Sequence, residues 1–203
     1  MTEGYIKFDC RWSKLPVEIP EKLLTGIVEW RNVCFRLDLI GADNSGIGFG
    51  NISAGEPGKK IFYITGSATG IFPEITGKHI SRVDGYSFVE NNVFCSGQVK
   101  ASAETLTHAA IYEADPDVHA VIHVHHRKYW QALMGQVPAT AEDITYGTPE
   151  MAEEIFRLFR ETEVHEKKTI VMGGHPDGII TFGKDLDEAG AVLLAYINHI
   201  ESL

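Results

Sequence analysis

The segment that most constrains this chain is AVIHVHH, residues 120–126, an apolar run interrupted by a His-x-His pair. Its shortness and its β-branched residues read as a strand. Along a strand the side chains at i and i+2 share a face, so His123 and His125 project together while Val124 points the other way. One cation can bind both imidazoles. His126 breaks the alternation and opens the next turn or helix. Just upstream, ETLTHAAIYEADPDVH puts a carboxylate, Glu104, near the start of a helix that leads into this strand.

The rest of the chain supplies the elements around it. Pro20 and Glu21 open an apolar-periodic run through Leu23, Leu24, Ile27, Val28, Val33, Cys34 and Leu37, which predicts a helix ending near Gly41. The following GADNSGIGFGNISAGEPG is too rich in glycine to be a helix. Residues 61–65 (IFYIT) predict a buried strand before the tight loop TGSATG, and 86–89 with 92–95 resemble a hairpin or bent strand pair. Ser102 is the expected N-cap of a helix through Leu106, Ala109, Ala110 and Tyr112, ending at Asp115-Pro116. Helices are expected over 127–134 and 149–160, the second begun by Thr148-Pro149. Strands are expected over 169–172 and 178–182 around GGHPDG, and an amphipathic helix over 185–200 closes the chain. Strict β-α-β alternation is missing. The expected class is therefore α/β, with a central, mainly antiparallel sheet carrying helices on its faces. At 203 residues the chain fits one domain, 1–203.

A formal net charge of -10 argues against a general nucleic-acid partner, because binding phosphate backbones needs clustered Lys and Arg. A small anion can still be held by backbone N–H groups. Cys10, Cys34 and Cys95 are odd in number and widely spaced, which fits plain thiols in a reducing compartment better than a disulfide framework. No stretch approaches the ~18 apolar residues of a membrane span. The polar start MTEGYIKFD has no signal-peptide core, so no membrane partner and a cytoplasmic location are expected.

Two imidazoles rarely suffice for a tight metal site. His175, in a glycine-rich break between two strands, is the leading candidate for a third ligand, since a strand end can bring it to a pocket. Three neutral imidazoles leave a metal its full charge and an open position, the arrangement of a catalytic site. Zinc is favoured by such a set, with manganese, cobalt and iron left open. Each feature also has a plainer reading. The strand histidines can be satisfied by hydrogen bonds, Glu104 can complement a helix dipole for ~0.3–1 kcal/mol, and the glycine loops can be ordinary turns. His108, His119, His126 and His165 read as surface or structural histidines; His108, four residues after Glu104, can orient that carboxylate. The loops at residues 50–53 (GNIS) and 65–70 (TGSATG) offer N–H groups and hydroxyls suited to a phosphate or carboxylate, and neither fits a nucleotide-binding fingerprint.

In combination, GNIS, ITGSATG, KASAETLTHAAIY, AVIHVHH and a late glycine-flanked histidine, in that order from about Pro20 onward, resemble the class II aldolase/adducin family. The resemblance implies an α/β/α sandwich around a mainly antiparallel sheet and a homotetramer with sites at subunit interfaces. It implies zinc on His123, His125 and His175, Glu104 as the catalytic carboxylate, and Gly50, Asn51, Thr69, Gly70 and Ser102 lining a substrate phosphate site. The implied activity is that of an aldol-type lyase on a small sugar phosphate. The metal would stabilise the enediolate left by C–C cleavage while Glu104 moves its proton. Asp143, in PATAEDITYGTPE, is implied as a second acid/base by similarity to pentulose-phosphate epimerases of the family, with Glu142 and Tyr146 as rivals. Ala103 stands where aldolases often carry a second serine, and SAET also resembles methylthioribulose-phosphate dehydratases. Pro176 and Asp177 separate His175 from Gly178, which many relatives join directly. Dehydration, epimerisation and a non-catalytic adducin-like oligomerisation module are the alternatives to aldol cleavage.

Overall fold

A computed structural model describes residues 5–203; Met1 to Gly4, part of the polar start behind the cytoplasmic expectation, lie outside the described residues. In chain order the elements are β1 (Asp9–Ser13), α1 (Glu21–Arg36), β2 (Gly41–Ala42), β3 (Gly48–Phe49), β4 (Asn51–Gly55), β5 (Phe62–Thr65), β6 (Ile80–Ser87) and β7 (Asn92–Gly97). They continue with α2 (Thr105–Ala114), β8 (Ala120–His125), α3 (Arg127–Leu133), α4 (Pro149–Glu161), α5 (Val164–Lys167), β9 (Thr169–Val171), β10 (Gly178–Gly183) and α6 (Leu186–Glu201). Eight strands form one sheet in the order β1-β7-β6-β5-β4-β8-β10-β9, and β2 and β3 form a separate ribbon. β1 runs parallel to β7, while the other neighbours in the sheet pair antiparallel. The fold is thus the expected α/β class with a mostly antiparallel sheet.

Strand alternation sorts the core into two layers. Ile122 and Val124 of β8 join Ile27 and Cys34 of α1 and Leu193 and Ile197 of α6 on one face. Val121 turns to the other, where it meets Ala110 and Ile111 of α2 and Ile155 and Leu158 of α4. The sheet is therefore covered on both sides, as a three-layer α/β/α sandwich requires. β8 pairs with β4 on one side and β10 on the other, and every residue of it is buried. No helix among the described residues is long and apolar enough to cross a membrane.

The helices follow their local signals with two corrections. α1 stops at Arg36, short of the end expected near Gly41, because the Leu37 and Asp38 N–H groups turn back onto Val33 O and Phe35 O, and the start of α2 differs. Thr148 caps α4, accepting the Met151 N–H, with proline in its first turn. Asp185 caps α6 through the Glu188 N–H at 2.9 Å. Ser102 is not the N-cap of α2. That position belongs to Glu104, and Ser102 acts earlier, its Oγ accepting the Glu104 N–H at 3.2 Å and its carbonyl the Thr105 N–H at 3.1 Å. The serine builds the turn that delivers Glu104 instead of capping the helix itself. His126 caps α3 and stacks on Tyr129, as its break from the strand alternation suggests.

Candidate metal centre

β8 ends at the edge of a cavity lined by Gly50, Asn51, Thr69, Gly70, Ser102, Glu104, His123, His125, Tyr146 and His175. Most of the residues the sequence singled out converge here. His123 and His125 share the inward face of β8, and their Nε2 atoms stand 3.0 Å apart. His175 comes from the turn between β9 and β10. Its carbonyl accepts the Gly178 N–H at 3.0 Å, and Asp177 takes a positive φ of 70° to close the turn. The inserted Pro176 and Asp177 therefore do not displace the histidine. A side chain on Gly178 would stand 2.9 Å from His175 Cδ2 and 3.2 Å from His123 Cε1, so glycine is what lets the imidazoles close up.

One ligand atom from each of the three histidines lies within 4.8 Å of the others. Tetrahedral zinc with Zn–N near 2.0–2.1 Å spaces its nitrogens about 3.3 Å apart, close to the separation already held by His123 and His125. The imidazoles are also prepared as neutral ligands. Burial holds His123 down to about 4 and His175 down to about 3, and it pushes His125 well below the ordinary histidine value, helped by the neighbouring imidazoles. Neutral His123 keeps its Nδ1 against the Ile179 carbonyl at 3.2 Å, which leaves Nε2 with a lone pair facing the cavity. The donor set fits a divalent transition ion.

Glu104 stands beside this cluster. Its Oε1 lies 3.4 Å from His175 Nε2 and 3.9 Å from His123 Nε2, and the residue is 4% exposed. Thr107 donates its hydroxyl to Oε2 at 3.2 Å. His108 does not orient the carboxylate as the i, i+4 spacing suggested. Its Nδ1 bonds Ser53 Oγ at 2.7 Å, because α2 turns that ring onto β4. The role falls to Thr107 at i+3.

The loop between β5 and β6 forms the opposite wall. Gly50, at a φ of +71°, leaves no room for a side chain: a Cβ would lie 2.7 Å from Ile40 Cγ1 and 3.0 Å from the His123 carbonyl. Among the described residues Asn51 Oδ1 has no hydrogen-bond partner. Thr69 Oγ1 donates to the Gly66 carbonyl at 2.7 Å, and Ala68 takes a left-handed φ of 61°, which curves the loop.

Asp143 is not in this cavity. It is exposed and lines a different cleft with Thr145, Glu150 and Arg157. Its rival Tyr146 lies inside, 3% exposed, with its ring 4.6 Å from that of His175. Alternation along an irregular loop could not choose between them. Lys7 was not foreseen at all: its Nζ sits 3.9 Å from the centre of the Tyr146 ring. Nothing near it in sequence marks that contact.

Three convergent neutral imidazoles with a buried carboxylate at their side, on an α/β/α sandwich, define a candidate divalent-metal site of Lewis-acid type. Residues 38–201 match the class II aldolase and adducin N-terminal domain family, and the chain belongs to that family. Solved structures of similar fold include an L-fuculose-1-phosphate aldolase from Thermus thermophilus, at 19% identity and a TM-score of 0.64, covering 90% of this chain and 92% of that one. Another is the N-terminal class II aldolase domain of a protein from Thermoplasma acidophilum, at 15% identity and a TM-score of 0.62, covering 94% and 98%. A third is an L-fuculose 1-phosphate aldolase from Glaciozyma antarctica, at 16% identity and a TM-score of 0.63, covering 93% and 77%. At these identities the likeness is one of fold. No curated protein sequence matches the chain.

Proposed function

We propose that this protein is a metal-dependent lyase that cleaves or forms a C–C bond in a small sugar phosphate, with zinc as the metal. The observation that carries this reading is Glu104 Oε1 at 3.4 Å and 3.9 Å from two of the imidazoles. At that spacing the carboxylate is close enough to exchange a proton with a substrate held at the imidazoles. A divalent ion on the three imidazoles supplies Lewis acidity, favouring negative charge on an adjacent substrate oxygen.

The chain's own groups do the rest. Backbone N–H groups of the 66–70 loop, with Asn51 and Ser102, bind the phosphate end and fix the distance from there to the reacting carbon. Glu104 Oε1 takes and returns the proton, while the Thr107 hydroxyl pins the other oxygen and keeps the carboxylate in one rotamer. Tyr146 shields the His175 side from water and, in place of Asp143, is the group nearest to serve the second oxygen. Exposed Ile71 and Phe72, directly after the loop, suit a surface covered by another copy of the chain, and we propose a homotetramer. The cytoplasm, with its sugar-phosphate pools, is the proposed location.

Incubation of metal-loaded protein with dihydroxyacetone phosphate and a panel of aldehydes, followed by mass spectrometry, tests the reaction. The expected result is a condensed ketose phosphate. In Glu104→Gln, solvent deuterium should no longer exchange into dihydroxyacetone phosphate while metal content stays intact. Wild-type exchange in that variant removes Glu104 from the mechanism. Water loss from methylthioribulose phosphate, without condensation, would replace the aldol reading by dehydration.

A further inference from the structure

Arg31 sits in the middle of α1 and is 1% exposed. A guanidinium stays charged in proteins, and burying one is unfavourable unless its donors are met and its charge is answered. Among the described residues its three hydrogen bonds all go to carbonyls: Nη2 donates to Thr69 O at 3.3 Å and Gly70 O at 3.1 Å, and Nη1 to Pro73 O at 3.1 Å. Phe35 covers it at 4.5 Å. Among the described residues no carboxylate lies within ion-pair distance of it. Burial pulls its pKa below the ordinary arginine value, and the group that counters this is the Cys34 thiol, not a carboxylate.

Those three bonds all fall on the loop that walls the candidate phosphate site. The peptide bonds are trans, and across a trans peptide the C=O and the next N–H point in opposite directions. Drawing the carbonyls of Thr69 and Gly70 toward Arg31 therefore turns the N–H groups of Gly70 and Ile71 away from it. Neither N–H has an acceptor among the described residues. Gly48, which lines the cavity, keeps this side open, since a Cβ on it would stand 3.3 Å from the Gly70 nitrogen. The guanidinium also leaves a positive charge directly behind those amides.

We propose that Arg31 is a positioning and specificity-determining residue for the substrate's phosphate: it fixes the 69–71 peptide planes with their N–H groups outward and supplies the buried charge that selects a multiply charged anion. This rests on the reading of the cavity as a phosphate site. α1 lies outside the family match, which begins at residue 38, so nothing in that match assigns the arginine a role.

The test uses full-length protein and inorganic phosphate, with calorimetric titration of the wild type, Arg31→Gln and Arg31→Lys. Gln can keep one or two carbonyl bonds without the charge, and Lys keeps the charge without the fork. Phosphate affinity should fall about ten- to a hundredfold in Arg31→Gln and roughly three- to tenfold in Arg31→Lys, while zinc affinity is unchanged in both. A merely structural arginine would not give this order, with partial rescue by Lys and no loss of metal. Binding of phosphate by both variants within twofold of the wild type overturns the proposal and leaves the lyase reading intact. If Arg31→Gln does not fold, wild-type phosphate affinity in Arg31→Lys overturns it alone. If the wild type binds zinc but no phosphate, the phosphate site itself is wrong and the role of Arg31 falls with it.

Discussion

With no metal on its three histidines, this protein should be unusually sensitive to mild acid. Burial holds His123 down to about 4, His175 down to about 3 and His125 well below its ordinary value. In the unfolded chain each titrates near 6.5. The unfolded state thus binds more protons below that pH, and stability is full above pH 6.5 and drains away as pH falls toward the folded values. At pH 5.5 each imidazole held neutral removes about 1.4 kcal/mol relative to pH 7.5, so the triad together removes about 4 kcal/mol. His108, fully buried and pushed down in the same direction, adds to the loss. Against the 5–15 kcal/mol typical of a folded domain, that is a large fraction. The assay is urea unfolding of chelator-treated protein at pH 7.5, 6.5 and 5.5, with the slope of stability against pH read as protons taken up. A total change under about 1 kcal/mol, or uptake of less than one proton, would show that the imidazoles are not buried as neutral groups.

Two glycines next to the ligands offer further tests. Gly50→Ala forces an alanine to a φ of +71° with its Cβ 2.7 Å from Ile40 Cγ1, and should destabilise the fold by roughly 2–4 kcal/mol in urea unfolding. A loss below 1 kcal/mol would mean that β4 and the 39–40 segment yield easily. Gly178→Ala puts a methyl 2.9 Å from both His175 Cδ2 and the His175 carbonyl oxygen, and should weaken metal binding by about ten- to a hundredfold while costing the metal-free protein roughly 1–3 kcal/mol. Unchanged metal affinity would show that the turn carrying His175 relaxes without moving the ring.

Much of this was legible before the structure, for identifiable reasons. β8 is short, apolar and buried throughout, so its period-2 alternation alone paired His123 with His125. Thr148, Asp185 and the apolar periodicity of α1 marked their helices by local chemistry. What failed was non-local. β1 pairs with a strand more than eighty residues away and is half exposed, so DCRWS carries little pattern of its own. The ribbon β2–β3 and strand β4 lie inside a glycine-rich stretch whose conformations serve close approach to β8 and the 70 region, which no local propensity encodes. Choosing between Asp143 and Tyr146 needed the path of an irregular loop. Arg31 did carry a signal: it falls four residues after Ile27 and three before Cys34, on the buried stripe of α1, and a charge in that position asks for a buried partner.

The most direct test of the metal centre is the metal itself. Purified protein, stripped and reloaded, should bind close to one zinc ion per chain in a competition titration with a chromogenic chelator. Structural zinc sites are worth about 10–16 kcal/mol over four ligands, so removing one imidazole should weaken binding by about a hundredfold. His125→Ala should show that loss, and His119→Ala, at a partly exposed histidine outside the cavity, should not. Full retention of tight zinc binding in His125→Ala would contradict the site on which the whole reading depends.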